Sequence, residues 1–310
     1  MKNAGNGCLT VRFLIASMLL YFAACKPSSE KTAQELIGQN VGAGSGDSAE
    51  IHSRTKKMRS VFYTMPSALE VTQLLKESGA KYSVNYPSDP QNLDKYTSTK
   101  GQAINLGIYA SDLSYAGIYN QKEDAMLYLK CAGKLSAELG IPDAFDKGTI
   151  ARIESNMGNE DSLLDIITTA YWNTDSYLKN NDRQQVSALI VAGGWVEGLF
   201  IAIQMANHSN NNQALINRVA EQKLSLDNLV GLISTYPADE ALKSTLAQLK
   251  KIQDAYAGVT IEESKTEVST DGATNTTTIK GNETVRLTPE QMKNLTAVTD
   301  SVRTHFTLIY

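Results

Sequence analysis

The sequence predicts an all-α domain of packed antiparallel helical hairpins, with one small β-hairpin near the C-terminus. Three observations carry that prediction. Apolar residues recur at three- and four-residue spacing over most of residues 67–257. Stop and start signals break that pattern into helix-sized pieces. Alternating β-branched residues occur only in the tail, around the Asp271-Gly272 turn pair.

Taken in order, Pro66-Ser67-Ala68-Leu69-Glu70 forms a capping box, with Ser67 at the N-cap and Glu70 at N3, and opens a helix over about 67–78. A loop follows to about residue 97 and contains Pro87 and Pro90. A second helix is expected over 99–119, and Asn120-Gln121 turns the chain into a third. That one ends at Gly140-Ile141-Pro142, a glycine stop followed by proline. A shorter helix spans about 143–157. Gly158-Asn159 then caps the next, whose first turn carries Glu160 and Asp161, where the helix dipole favours acids, and which runs to about 179. Asn180-Asn181-Asp182 starts another, reaching about 206. Further helices are expected over 213–222, 225–235 and 238–257, the last two separated by Pro237. The hairpin covers about 259–281. Thr288-Pro289-Glu290-Gln291 opens a final helix to about 306, with threonine at the N-cap, proline at N1 and glutamine at N3.

Helix pairs of this length invite comparison with tetratricopeptide repeats. Leu106-Gly107 and Asn120-Gln-Lys-Glu-Asp-Ala125 resemble two pieces of that motif, but their offset is too long for its register and no second copy follows.

The N-terminus is organised differently. Lys2 and Arg12 precede an apolar stretch over 13–24, in the layout of an export signal that is too short to span a bilayer comfortably. Phe22-Ala23-Ala24-Cys25 resembles the lipobox of bacterial lipoproteins. The resemblance implies removal of residues 1–24 and lipidation of Cys25, although Phe22 stands where that family usually has Leu or Val. Residues 25–50 then read as a lipidated cysteine and flexible tether, poor in large apolar residues and ending in a Gly/Ser run. Residues 51–310 form the helical domain. Cys8 falls in the removed segment, so Cys131 remains alone on an apolar helix face, reading as a small buried hydrophobe, and no disulfide framework is expected.

Removing Lys2 and Arg12 from the 29 basic residues leaves 27 against 33 acidic ones, a net charge of about −6. That balance argues against nucleic acid, which calls for a basic face. The basic cluster Arg54, Lys56, Lys57 and Arg59 lies near the anchor, as a solvated helix end or a contact to lipid head groups. His52, His208 and His305 are isolated, and no GxSxG, Walker-type or GxGxxG pattern is present. The expectation is therefore no cofactor, no metal and no recognisable catalytic motif.

Two carboxylates stand out. Residues 187–206 are long and apolar enough to cross a bilayer, but Glu197 sits mid-segment, so a central buried helix is the better account. Gly193, Gly194 and Gly198 each cost up to about 1 kcal/mol against alanine in a helix, which implies a packing reason. Glu197 then either faces a glycine-lined groove as an acid, base or cation site, or pairs with an Arg or Lys. Asp112 lies on an aromatic face with Tyr109 and Tyr115, either in a buried tyrosine network or lining a ligand pocket with Tyr171 and Trp172. Asp175 and Lys179 read as a surface ion pair.

The lipobox, the tether and the stretch over 180–206 together resemble an uncharacterised family of Bacteroidota lipoproteins, a likeness extending over most of the mature chain. It implies an outer-membrane lipoprotein on the periplasmic face or the cell surface, with no activity attached. It also implies O-glycosylation at Asp-Ser/Thr-apolar sites. Asp47-Ser48-Ala49, Asp161-Ser162-Leu163 and Asp300-Ser301-Val302 fit that pattern, and Ser48 in the tether has the favourable context. The reading that follows is a lipid-anchored envelope protein whose helical domain binds a partner protein or small ligand. Two alternatives stand beside it: a hydrolase using Glu197 and Asp112, and a structural component of envelope assembly.

Overall fold

The computed structural model describes residues 81–308, apart from 142–144, 210–211, 264–266, 272–275 and 281–282. The export segment, Cys25, the tether with Ser48, the basic cluster and the expected 67–78 helix lie outside the described residues.

A 3-10 helix over Pro90–Lys95 precedes eight α-helices: α1 (Thr99–Ile118), α2 (Lys122–Glu138), α3 (Lys147–Ser155), α4 (Glu160–Asn180), α5 (Gln184–Asn207), α6 (Gln213–Ile233), α7 (Glu240–Ala255) and α8 (Pro289–Thr307). Between α7 and α8 the chain makes two antiparallel ladders. β1 (Thr260–Glu263) pairs with β4 (Glu283–Arg286), and β2 (Glu267–Asp271) with β3 (Thr276–Lys280). The class is all-α, as the periodicity predicts, and the hairpin reaches past residue 281 to Arg286.

Local chemistry explains the boundaries. The α1–α2 and α2–α3 turns close by the same device. Gln121 N donates to Ala116 O at 2.9 Å and Asn120 N to Gly117 O at 3.0 Å, while Ile141 N donates to Ser136 O and Gly140 N to Ala137 O. Each is a Schellman closure, and the residue after the helix takes a left-handed φ: 55° at Asn120 and 67° at Gly140. At α8 the full capping box forms, Thr288 and Gln291 each bonding the other's backbone.

Two expectations are corrected. The helices expected over 213–222 and 225–235 are one continuous α6. Ser225 does not break it, because its hydroxyl donates back to Gln222 O at 3.0 Å and receives Trp195 Nε1 at 2.9 Å. The loop before α1 contains the 3-10 helix, started by Pro90 and capped by Asp89, whose side chain accepts from Gln91 N.

Helices α1 and α5 form the centre. Helix α1 packs most closely on α5 and α2, and α5 is further covered by α4, α6, α7 and α8. Helix α5 is apolar nearly all round, and 89% of its most apolar 18-residue window is buried, so its length and hydropathy serve the core of the bundle. The α1–α5 crossing is a backbone contact. A Cβ added at Gly193 would lie 2.0 Å from Ile104 O, and one at Gly107 would lie 2.0 Å from Ile190 O. Ser111 Oγ seals the crossing by donating to Gly194 O at 3.0 Å.

Candidate functional site

The close crossing of α1 and α5 brings Asp112 and Glu197 to the same place in the core. Both are completely buried. Helix α8 adds Arg303, whose Nε donates to Glu197 Oε2 at 2.6 Å and whose Nη2 donates to Oε1 at 2.7 Å. This is a bidentate, charge-assisted pair. The guanidinium also lies 4.1 Å from the Phe200 ring centroid, one turn along α5 from Glu197. Burial works against the Arg303 cation, but the Glu197 charge and its hydrogen bonds together outweigh it and hold the group protonated.

A strap of irregular chain, residues 82–89, closes the site from outside the helices. Arg303 Nη2 also donates to Tyr86 O at 3.0 Å, and Ser88 N donates to Asp112 Oδ2 at 3.0 Å. Tyr109 Oη donates to Asp89 O at 3.0 Å, and Tyr115 Oη accepts from Ser83 N at 3.0 Å. Tyr82 stacks on Tyr115 with centroids 4.9 Å apart and donates to Asp124 on α2. The strap's backbone thus finds its partners in the side chains of α1 and α8.

Asp112 retains its proton far above the usual carboxylate range. Burial is the larger cause and the adjacent Glu197 charge the next, with the Arg303 cation opposing and Glu197 in hydrogen-bond contact. Its second oxygen, Oδ1, accepts no hydrogen bond among the described residues.

The structure therefore brings Tyr109, Asp112, Tyr115 and Glu197 together and fills the space between them with the strap. The expected groove at Gly193 and Gly194 is occupied by the α1 backbone, so these glycines are spent on helix packing and line no cleft. Tyr171 and half-buried Trp172 lie on α4. Tyr171 belongs to a second polar cluster with Ser187 and Asp175, in which burial raises the phenol above its usual range. Asp175 is corrected from a surface pair to a buried one. It is 3% exposed, accepts from Lys179 Nζ at 2.6 Å, and takes a second hydrogen bond from Ser187 Oγ at 2.6 Å, tying α4 to α5. Cys131 is buried, and burial pushes its thiol up to about 11, away from nucleophile chemistry. Ser162 lies in the first turn of α4 and Ser301 on the exposed side of α8.

An open groove of about 620 Å³ lies elsewhere, on α2 and the segment entering α3. It is lined mainly by Met126, Leu127, Phe145 and Ile150, with Glu123 and Lys130 among its lining residues. The sequence does hold a signal for it. Leu127 sits outside the buried stripe of α2 and is 42% exposed, one large apolar side chain more than the core requires. Among the described residues no cluster of three or more His, Cys, Asp or Glu is placed to hold a metal. The chain matches no family model, no curated protein and no solved structure.

Proposed function

We propose that this chain is a lipid-anchored envelope protein whose helical domain is a non-catalytic interaction module, engaging a partner polypeptide through the α2–α3 groove. The anchor reading rests on the export layout and the small residues before Cys25, and several acyl chains would hold the domain on a bilayer. The observation that supports the binding reading is the contrast between the two sites. The carboxylates that a hydrolase would need are completely buried and committed to Arg303 and the strap. The α2–α3 groove is open, with Glu123 and Lys130 two turns apart along α2, an arrangement suited to an apolar segment carrying both signs of charge.

Two experiments test this. Acyl labelling and fractionation compare the chain with Cys25→Ser: the native chain takes up label and pellets with membranes, and the variant does neither. A native chain that stays unlabelled ends the anchor reading. For the groove, a photo-crosslinking amino acid replaces Leu127 in living cells, and in a control replaces Leu224, which is 53% exposed on α6. A discrete adduct from position 127 alone is expected. No adduct, or the same adduct from both positions, would refute the groove as the docking site.

A further inference from the structure

The buried cluster has one more negative group than positive. Glu197 and Asp112 meet in the core, and Arg303 spends two donors on Glu197 and one on Tyr86 O. Asp112 Oδ2 receives Ser88 N, while Oδ1 is buried and receives nothing among the described residues. A bare carboxylate oxygen in that position would carry a large desolvation cost without a donor. A carboxylic acid oxygen in the same position is itself a donor, and the neighbouring Glu197 carboxylate is an acceptor. We propose that the Asp112–Glu197 pair holds one proton in the folded protein, and that this proton latches the strap over residues 82–89 onto the bundle.

The surroundings make the latch one-sided. The titratable and charged groups facing Asp112 are Glu197 on α5, Arg303 on α8, Tyr128 and Cys131 on α2, and Tyr109 on its own helix. Tyr86 is the titratable side chain on the strap at this level, and burial raises its phenol too. Arg303 is the cation among these groups. Losing the proton sets two carboxylates against it, and the pair must separate or admit water. Helices α1 and α5 are held backbone to backbone at Gly107 and Gly193, so their crossing does not yield. The strap is the non-helical wall and moves instead. Asp112 binds its proton more tightly folded than unfolded, so its contribution to stability falls as pH rises above about 4, the unfolded carboxyl range.

The test uses the full-length chain with ¹³C-labelled aspartate carboxyls, followed from pH 4 to 10. One aspartate carbon is expected to keep its protonated shift at pH 7 and to move only at higher pH. The Ser88 amide, bonded to that carboxyl, should move with the same midpoint and so assign the signal without a variant. If every aspartate titrates near pH 4, the proposal is overturned. Asp112→Asn carries an N–H where the acid carries its proton. Chymotryptic cleavage after Tyr82 should therefore rise several-fold in the native chain relative to this variant between pH 7 and 9.5. Parallel pH profiles for the two chains would overturn the latch.

Discussion

Alanine at two glycines of the same helix should change stability in opposite directions. Glycine in a helix interior costs about 1 kcal/mol against alanine, so on propensity alone both Gly193→Ala and Gly198→Ala stabilise. At Gly198 a Cβ meets nothing within 4 Å, and the position is exposed, so the full gain of about 0.5–1 kcal/mol is expected. At Gly193 the new Cβ lies 2.0 Å from Ile104 O and 2.8 Å from Ile104 C, contacts with backbone that no rotamer change relieves. Helices α1 and α5 must move apart by more than an ångström, at a cost of roughly 1–3 kcal/mol or more, which outweighs the propensity gain. Moving them also pulls Ser111 from Gly194 O and Asp112 from Glu197. Urea unfolding followed by far-UV circular dichroism measures both variants against the native chain. Gly193→Ala should lower the midpoint and Gly198→Ala raise it, with unchanged slopes. If both raise it, the α1–α5 crossing is not the backbone contact described above.

The remaining predictions concern single side chains. Ser225→Ala leaves Trp195 Nε1 without its acceptor in the core and should cost about 1–3 kcal/mol in the same unfolding assay. Thr288→Ala removes half of the α8 capping box and should cost about 1 kcal/mol, with Thr288→Ser recovering most of it. Removing one partner of a buried ion pair costs about 3–5 kcal/mol. Glu197→Gln should lose less, about 2 kcal/mol, because Asp112 can ionise beside Arg303 in its place. The double variant with Asp112→Asn leaves Arg303 with no anion and should lose more than the sum of the two, a coupling read from a double-mutant cycle.

What the sequence disclosed and what it hid follow a physical line. Signals confined to one turn of chain are legible: Thr288 with Gln291, Asn159 before α4, and Gly140 after α2 act through hydrogen bonds within a few residues of themselves. The burial of α5 was legible too, since a segment apolar on all sides around one acid has few other solutions. Arg303 as the partner of Glu197 was not, because 106 residues separate them and nothing in either neighbourhood marks the pairing. The continuity of α6 across residues 222–225 was hidden too, because Ser225 there accepts from Trp195 on another helix. The largest omission was the strap. One of the two readings of Asp112 had the tyrosine hydroxyls on α1 reach it, yet two of them bind the backbone of residues 83 and 89 instead. Tyr82 and Tyr86 in a proline-bearing loop were the available sign that this loop packs on the bundle.

The acid–arginine cluster also bears on why so apolar a bundle adopts one arrangement. Apolar replacements of a buried ion pair are often neutral or stabilising, so stability alone does not account for Asp112, Glu197 and Arg303. Geometry does. Helices α1, α5 and α8 present mostly aliphatic faces that tolerate sliding, and a one-turn slip of α8 along α5 moves the guanidinium by about 5.4 Å. Such a slip breaks both hydrogen bonds to Glu197 and the one to Tyr86 O, stranding buried charge, whereas aliphatic contacts are largely exchanged for others. The cluster therefore penalises wrong registers more than it favours the right one. Replacing all three residues together, Asp112→Leu, Glu197→Leu and Arg303→Met, should leave the urea midpoint within about 1 kcal/mol of native or raise it. The same chain should show broadened or doubled amide signals for α8 and the strap. A triple variant with sharp native-like spectra would mean that packing alone fixes the register, and that the cluster is kept for its proton.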